Sequence, residues 1–276
     1  MKECCYHDVA SGYKEAEKEI AASVGDEVAA AFLDGSITEI KSESATKVRD
    51  TVCKDLKQLV SVNLPNATTV GQSAFYGCTA LTSVNMPSLT TVSQYGFNGC
   101  TNLRTLKIGQ VTKIENCAFS GCNNLSRIDL SHVTMLGASI GGAGQAFMNC
   151  YALKEVVAPK LTFLNDKSFK YCRALEKADF TAVTAIDDSA FEGCSALKAL
   201  ILRRTDKIVT SGASIFSSIF KDSAIASGTG YIYVPAALVD AYKANSDWDD
   251  YPEQIRALED YTVDGTVTGE LDESKI

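Results

Sequence analysis

Histidine is nearly absent from this chain of 276 residues; there are two, His7 and His132. That supply is too small for histidine-based catalysis or a histidine-rich metal site. Positive charge is also short, with 26 Lys and Arg against 34 Asp and Glu, a net charge of -8 and a pI near 4.9. A nucleic-acid partner is therefore not expected, because neutralising phosphates needs a basic stripe. Long apolar runs are missing too. No stretch approaches the roughly 18 consecutive apolar residues of a membrane span, so no membrane insertion is expected. The opening residues 1–19 carry no apolar segment after their basic residue, and no signal peptide is expected in the sequence as given.

What the chain does have is a phrase repeated in phase. Phe75, Phe97, Phe119, Phe147, Phe169 and Phe191 each open a unit. Three residues later comes Cys78, Cys100, Cys122, Cys150, Cys172 or Cys194. Three further on comes Leu81, Leu103, Leu125, Leu153, Leu175 or Leu197. The step is 22 residues, except for 28 between Phe119 and Phe147. A fixed period in the twenties marks a solenoid, in which each unit buries its apolar face only against its neighbours. Apolar residues make up 46% of the chain, enough for such a core.

Within a unit, Leu81, Val84 and Met86 follow Leu-x-x-Leu-x-Leu. The step of two between the last pair predicts a short strand with both side chains on one face. A small residue precedes each phenylalanine (Ala74, Gly96, Ala118, Ala146, Ser168, Ala190), as a tight turn against the next coil requires. Ten cysteines would ordinarily suggest disulfides or zinc. Six of them share one slot inside an apolar phrase, so they read as small buried hydrophobes. No cysteine is expected to be catalytic, and no metal or cofactor site is expected.

The phrase Ala74-Phe75-Tyr76-Gly77-Cys78-Thr79-Ala80-Leu81-Thr82-Ser83-Val84 resembles the BspA-like, or treponemal-type, leucine-rich repeat. The likeness covers roughly Ile37 to Leu258. It implies a curved repeat solenoid of the α+β class with a parallel β-sheet on its concave face. It also implies a non-enzymatic, surface-exposed interaction or adhesion role in bacteria and their phages, in a protein that is secreted, on the cell surface or virion-associated. The implied partner is a protein or glycan on a host or neighbouring cell surface. The alternative is a structural or display domain of a phage tail or bacterial surface assembly.

The chain divides accordingly. Residues 1–35 have helical periodicity and suit an N-terminal cap. Residues 36–220 form the array, with a glycine-rich insert at 137–144 that lacks the Gly-Lys-Ser/Thr of a phosphate loop. After Phe191 the beat decays. Residues 221–259 read as a C-terminal strand-helix cap, with Pro235 at the start of the helix. Residues 260–276 are an acidic tail, opened by a two-residue hairpin signal at Val263-Asp264-Gly265-Thr266.

The residues between the inward leucines should face the concave solvent. In the first two coils these are neutral: Ser61 and Asn63, then Ser83 and Asn85. From the third coil on the stripe carries charges of both signs and changes at every level. Lys107, Arg127, Asp129, Glu155, Lys177, Asp179 and Arg203 are the candidate ligand-binding residues. Mixed charge favours a protein or polar glycan as partner over a lipid or nucleic acid.

Overall fold

The computed structural model describes residues 35–137, 144–211, 218–263 and 266–267. The expected N-terminal helical cap and most of the insert and acidic tail lie outside them.

Each regular coil lays down one main strand and one short return strand. In order these are β1 (Glu39–Lys41) and β2 (Lys47–Val48), β3 (Ser61–Asn63) and β4 (Thr69–Val70), β5 (Ser83–Asn85) and β6 (Thr91–Val92), and β7 (Thr105–Lys107) and β8 (Lys113–Ile114). The next coil contributes only a return strand, β9 (Met135–Leu136). Regular coils resume with β10 (Glu155–Val157) and β11 (Phe163–Leu164), β12 (Lys177–Phe180) and β13 (Ala185–Ile186), and β14 (Ala199–Leu202) and β15 (Thr210–Ser211). The last main strands are β16 (Tyr231–Val234) and β17 (Ile255–Ala257), followed by a hairpin of β18 (Thr262–Val263) and β19 (Thr266–Val267).

All pairings except the terminal hairpin are parallel. The main strands form two sheets, β1-β3-β5-β7 and β10-β12-β14-β16-β17. The return strands form β2-β4-β6-β8-β9 and β11-β13-β15. The result is a parallel-strand solenoid of about nine turns with little helix. Among the described residues the one α-helix is α1 (Val239–Lys243), so these residues form a β-solenoid and do not carry the α+β label. A main strand, β17, follows α1 and closes the sheet, so the terminal unit ends in a strand.

Two stacked columns of side chains account for the period. The phenylalanines form one column of nearly parallel rings. Centroids are 5.1 Å apart for Phe75–Phe97 and 5.7 Å for Phe169–Phe191. These separations exceed the strand spacing of about 4.8 Å, as offset stacking demands. The column runs past the point where the beat decays. Phe220 takes the next place, 6.0 Å from Phe191, and Trp248 and Tyr251 end the stack with tilted and edge contacts. Behind the rings, the phenylalanine N–H from Phe75 to Phe169 donates to the carbonyl of the small residue in the following coil, as from Phe75 to Gly96 and from Phe97 to Ala118, and Phe191 donates to Ile219 where the beat has decayed. A bulky side chain there would hold the two coils apart.

The cysteine column is buried throughout, and it adds something the sequence did not suggest. Each thiol donates to the carbonyl of the residue in the phenylalanine slot one coil earlier. Cys100 reaches the Phe75 carbonyl at 3.1 Å, and Cys194 reaches that of Phe169 at 3.2 Å. Cysteine suits this slot because it is small and apolar yet carries one weak donor. Burial pushes the thiols far above their ordinary range, Cys78 and Cys150 to about 12.

The solenoid is unlaced at one level. The stretch Arg127–Asp129 lies where a main strand should be, but it joins no ladder, so β7 and β10 are separate sheet edges. Asp129 Oδ1 accepts a hydrogen bond from the Ser131 N–H at 2.9 Å. Such a local turn competes with the extended strand. On the return side the matching gap between β9 and β11 is bridged by a side chain, as buried Asn165 donates its amide to the Leu136 carbonyl.

Candidate functional site

The outward positions of the main sheet form two columns fixed by register. In β3, β5 and β7 they are Ser61, Ser83 and Thr105 in one column and Asn63, Asn85 and Lys107 in the other. In β10, β12 and β14 they are Glu155, Lys177 and Ala199, then Val157, Asp179 and Ile201. Parallel pairing without slippage keeps each column straight, so a residue change at one coil is a local change on a continuous face.

The seven candidates fall into two groups. Lys107, Arg127 and Asp129 are exposed, with the Asp129 carboxylate spent partly on Ser131. Glu155, Lys177, Asp179 and Arg203 form a chain of ion pairs. Lys177 Nζ donates to Glu155 Oε1 at 2.9 Å and lies 4.0 Å from Asp179 Oδ2. Arg203 grips Asp179 with two bonds, Nε to Oδ1 at 2.8 Å and Nη2 to Oδ2 at 2.9 Å.

The expectation that all outward positions face solvent fails in this second group. Asp179 is 1% exposed, and Ile201 and Ala199 are buried with it. The physical reason is tertiary. The tyrosines of β16, Tyr231 and Tyr233, continue the two columns next to Ala199 and Ile201. Tyr261, just past β17, packs its ring edge-on against Tyr233 at 4.8 Å. Burial pushes the Tyr261 hydroxyl up; the carboxylates of Asp179 and Glu155 add to this, and Arg203 opposes it. The chain after β17 therefore lies near these ion pairs.

These tyrosines and Arg256, whose guanidinium stands 4.8 Å over the Tyr231 ring, were not among the sequence candidates. The signal was present. The alternation Tyr231-Ile232-Tyr233-Val234 puts both rings on one face of a strand.

The opposite, return side carries a different column. Thr68, Thr90, Thr112 and Thr134 each donate a side-chain hydroxyl to the threonine carbonyl one coil earlier, as Thr90 does to Thr68 at 3.0 Å. This column is uniform and its hydroxyls are spent on the backbone. Among the described residues no group of three or more His, Cys, Asp or Glu could hold a metal ion. No described helix is long and apolar enough to cross a membrane.

The family comparison agrees with this architecture. The model of the BspA type leucine rich repeat region matches residues 46–141 and 142–229 in six copies. No curated protein matches the chain. Among solved structures, a leucine rich repeat protein of T. pallidum is 25% identical over 58% of this chain and 75% of its own, with a TM-score of 0.47. A protein of Faecalibacterium prausnitzii described as a leucine rich cell surface protein is 20% identical, over 60% of this chain and 64% of its own, with a TM-score of 0.43. A leucine-rich repeat protein of Bacteroides ovatus is 13% identical, over 71% and 68%, with a TM-score of 0.30.

Proposed function

The chain belongs to the BspA type leucine-rich repeat family, and on that premise we propose that it is a non-enzymatic interaction module, displayed at a bacterial surface, secreted or carried on a virion. It binds a protein or glycan of a host or neighbouring cell through the outward face of its main sheet, the concave face by the family's expected curvature. One observation carries this reading. The inward slots repeat the same residues coil after coil, while the outward columns change at every level from Lys107 to Arg203. Core packing dictates the first; at the exposed outward positions Lys107, Arg127 and Asp129 nothing in the core dictates the second.

In this reading Lys107, Arg127 and Asp129 make contact with the partner. The self-paired Glu155, Lys177, Asp179 and Arg203 hold a rigid shoulder beside them. The test is a screen of the purified chain against extracellular matrix proteins and bacterial glycans. Saturable binding to a member of either class is expected, and its absence across both would overturn the reading. In that event a second role stands, a rigid spacer or display domain of a phage tail or surface assembly. The self-satisfied ion pairs and unbroken ring column favour it, since neither needs a ligand.

A further inference from the structure

The unlaced level between β7 and β10 has three properties that no other level combines. First, its backbone is open. Among the described residues, no N–H of Arg127, Ile128 or Asp129 donates to a backbone carbonyl, whereas Arg104 and Thr105 one coil earlier both donate to Thr82. Second, its floor is apolar and accessible. Val62, Val84 and Val156 fill the inward slot of their strands at 2%, 1% and 0% exposure, but Leu106 and Ile128, the inward residues at the gap, are only partly buried. Third, its rim is basic. Lys107 and Arg127 border the gap, and exposed Arg104 and Lys154 stand just before β7 and β10. The levels from Glu155 to Arg203 pair their charges, yet among the described residues no carboxylate pairs with Lys107 or Arg127. Asp129, one 22-residue period after Lys107, is turned instead onto the Ser131 N–H.

We propose that this seam is the binding site for an extended, acidic polypeptide segment of the partner, one that alternates carboxylate and apolar side chains. This rests on the interaction-module reading and names the chemistry of its partner. An apolar side chain enters over Leu106 and Ile128 and removes them from water. Carboxylates meet Lys107 and Arg127, the latter able to form a two-bonded pair. The peptide's own N–H and C=O groups meet the unlaced backbone, as in strand addition to a sheet edge. Charge supplies the selectivity. On a chain of net charge -8 an acidic segment is repelled elsewhere and admitted at one basic level. A neutral glycan leaves the cations unpaired, and a second copy of this acidic chain is repelled outside the seam.

The probe is a fluorescein-labelled peptide of alternating Glu and Leu, with a Gln-for-Glu counterpart, titrated by anisotropy against the full chain. A second protein sample ends at residue 267, which removes the acidic segment from Thr268 to Ile276. The acidic peptide should bind both samples, the Gln counterpart should bind at least about tenfold more weakly, and rising salt should weaken the acidic peptide. Lys107→Gln with Arg127→Gln should lower its affinity by about tenfold or more, with an unchanged unfolding midpoint showing that the fold is intact. The Thr90→Gln control on the return side should change nothing. Binding only to the shortened chain would show that the chain's own tail is the occupant and overturn the proposal. So would equal binding of the two peptides, or no effect of the double substitution. If the double variant still binds its surface partner like the parent, this inference fails while the interaction-module reading stands.

Discussion

Arg203 holds Asp179 through two hydrogen bonds across 24 residues of sequence, on the face of the sheet where both side chains would otherwise meet water. The carboxylate is 1% exposed. A planar guanidinium satisfies both oxygens at once, and a lysine cannot reproduce that geometry. Removing the arginine leaves a buried charge without its main partner. Arg203→Leu should therefore cost about 3–5 kcal/mol in urea unfolding. Arg203→Lys should lose less. A cost below about 1 kcal/mol for the leucine variant would show that water reaches Asp179.

The ring column gives a second expectation. Phe169 stacks between Phe147 and Phe191 at 5.5 and 5.7 Å and is fully buried. Phe169→Ala should cost about 3–5 kcal/mol. Because coupling runs between neighbouring coils, amide exchange should rise on both sides of the break. Exchange confined to one coil would contradict the stacked arrangement.

The thiols should be silent until the fold opens. Cys53, Cys78, Cys100, Cys122, Cys150, Cys172 and Cys194 are buried, and burial raises the pKa of each. A thiol-specific reagent at pH 8 should label none of the seven in the native protein and all of them in denaturant. Rapid native labelling of ladder positions, located by peptide mapping, would contradict the burial.

Two glycines in the same slot should tolerate alanine differently. Gly99 and Gly193 both have a φ of 71°, in the left-handed region. At Gly99 an added Cβ meets nothing nearer than 3.7 Å, so Gly99→Ala carries only the backbone strain, about 1–2 kcal/mol. At Gly193 the Cβ would sit 2.3 Å from the Tyr171 ring, so Gly193→Ala should cost clearly more. Equal midpoint shifts would mean that Tyr171 moves aside freely.

Acid should weaken one further cross-coil contact. Lys170 Nζ donates to Glu192 Oε2 at 2.6 Å. Burial alone would raise Glu192, but hydrogen bonds from Lys170 and Ser189 outweigh it and hold the group below its ordinary value of 4.5. A depressed folded pKa gives stability that is complete above the unfolded value and lost as pH falls through the folded one. Burial tends to lower Lys170, yet Glu192 raises it above 10.5, so its share is complete below that value and lost in strong alkali. The stability difference between the parent and Lys170→Met should be flat from about pH 6 to 9 and shrink below pH 4.5. A difference independent of pH into acid would show that the pair contributes packing alone.

The repeated parts of this molecule were legible because the core dictates them. Phenylalanine, cysteine and leucine recur since each coil must present the same shape to the next. Phe220 was not placed in its column because it follows Phe191 by 29 residues, and a period cannot reveal a member that breaks it. The thiol hydrogen bonds escaped for another reason: hydropathy alone makes cysteine look like any small apolar residue. Asp179 looked solvent-facing because alternation along a strand assigns a face without saying what covers it. Its cover comes from Arg203, and Tyr261, far downstream, lies near enough to feel its charge. The seam at Arg127–Asp129 was hidden by a sequence that keeps the phrase while Asp129 turns onto Ser131.

The most direct test of binding through the outward face compares two surfaces of one molecule. Once a partner from the protein and glycan screen is in hand, its affinity is measured for two variants of similar stability. One carries Asn85→Arg and Thr105→Glu on the outward columns, and the other carries Thr90→Arg and Thr112→Glu on the return column. Loss of binding in the first and parental affinity in the second is the predicted result. Loss in the second with parental affinity in the first would contradict the account.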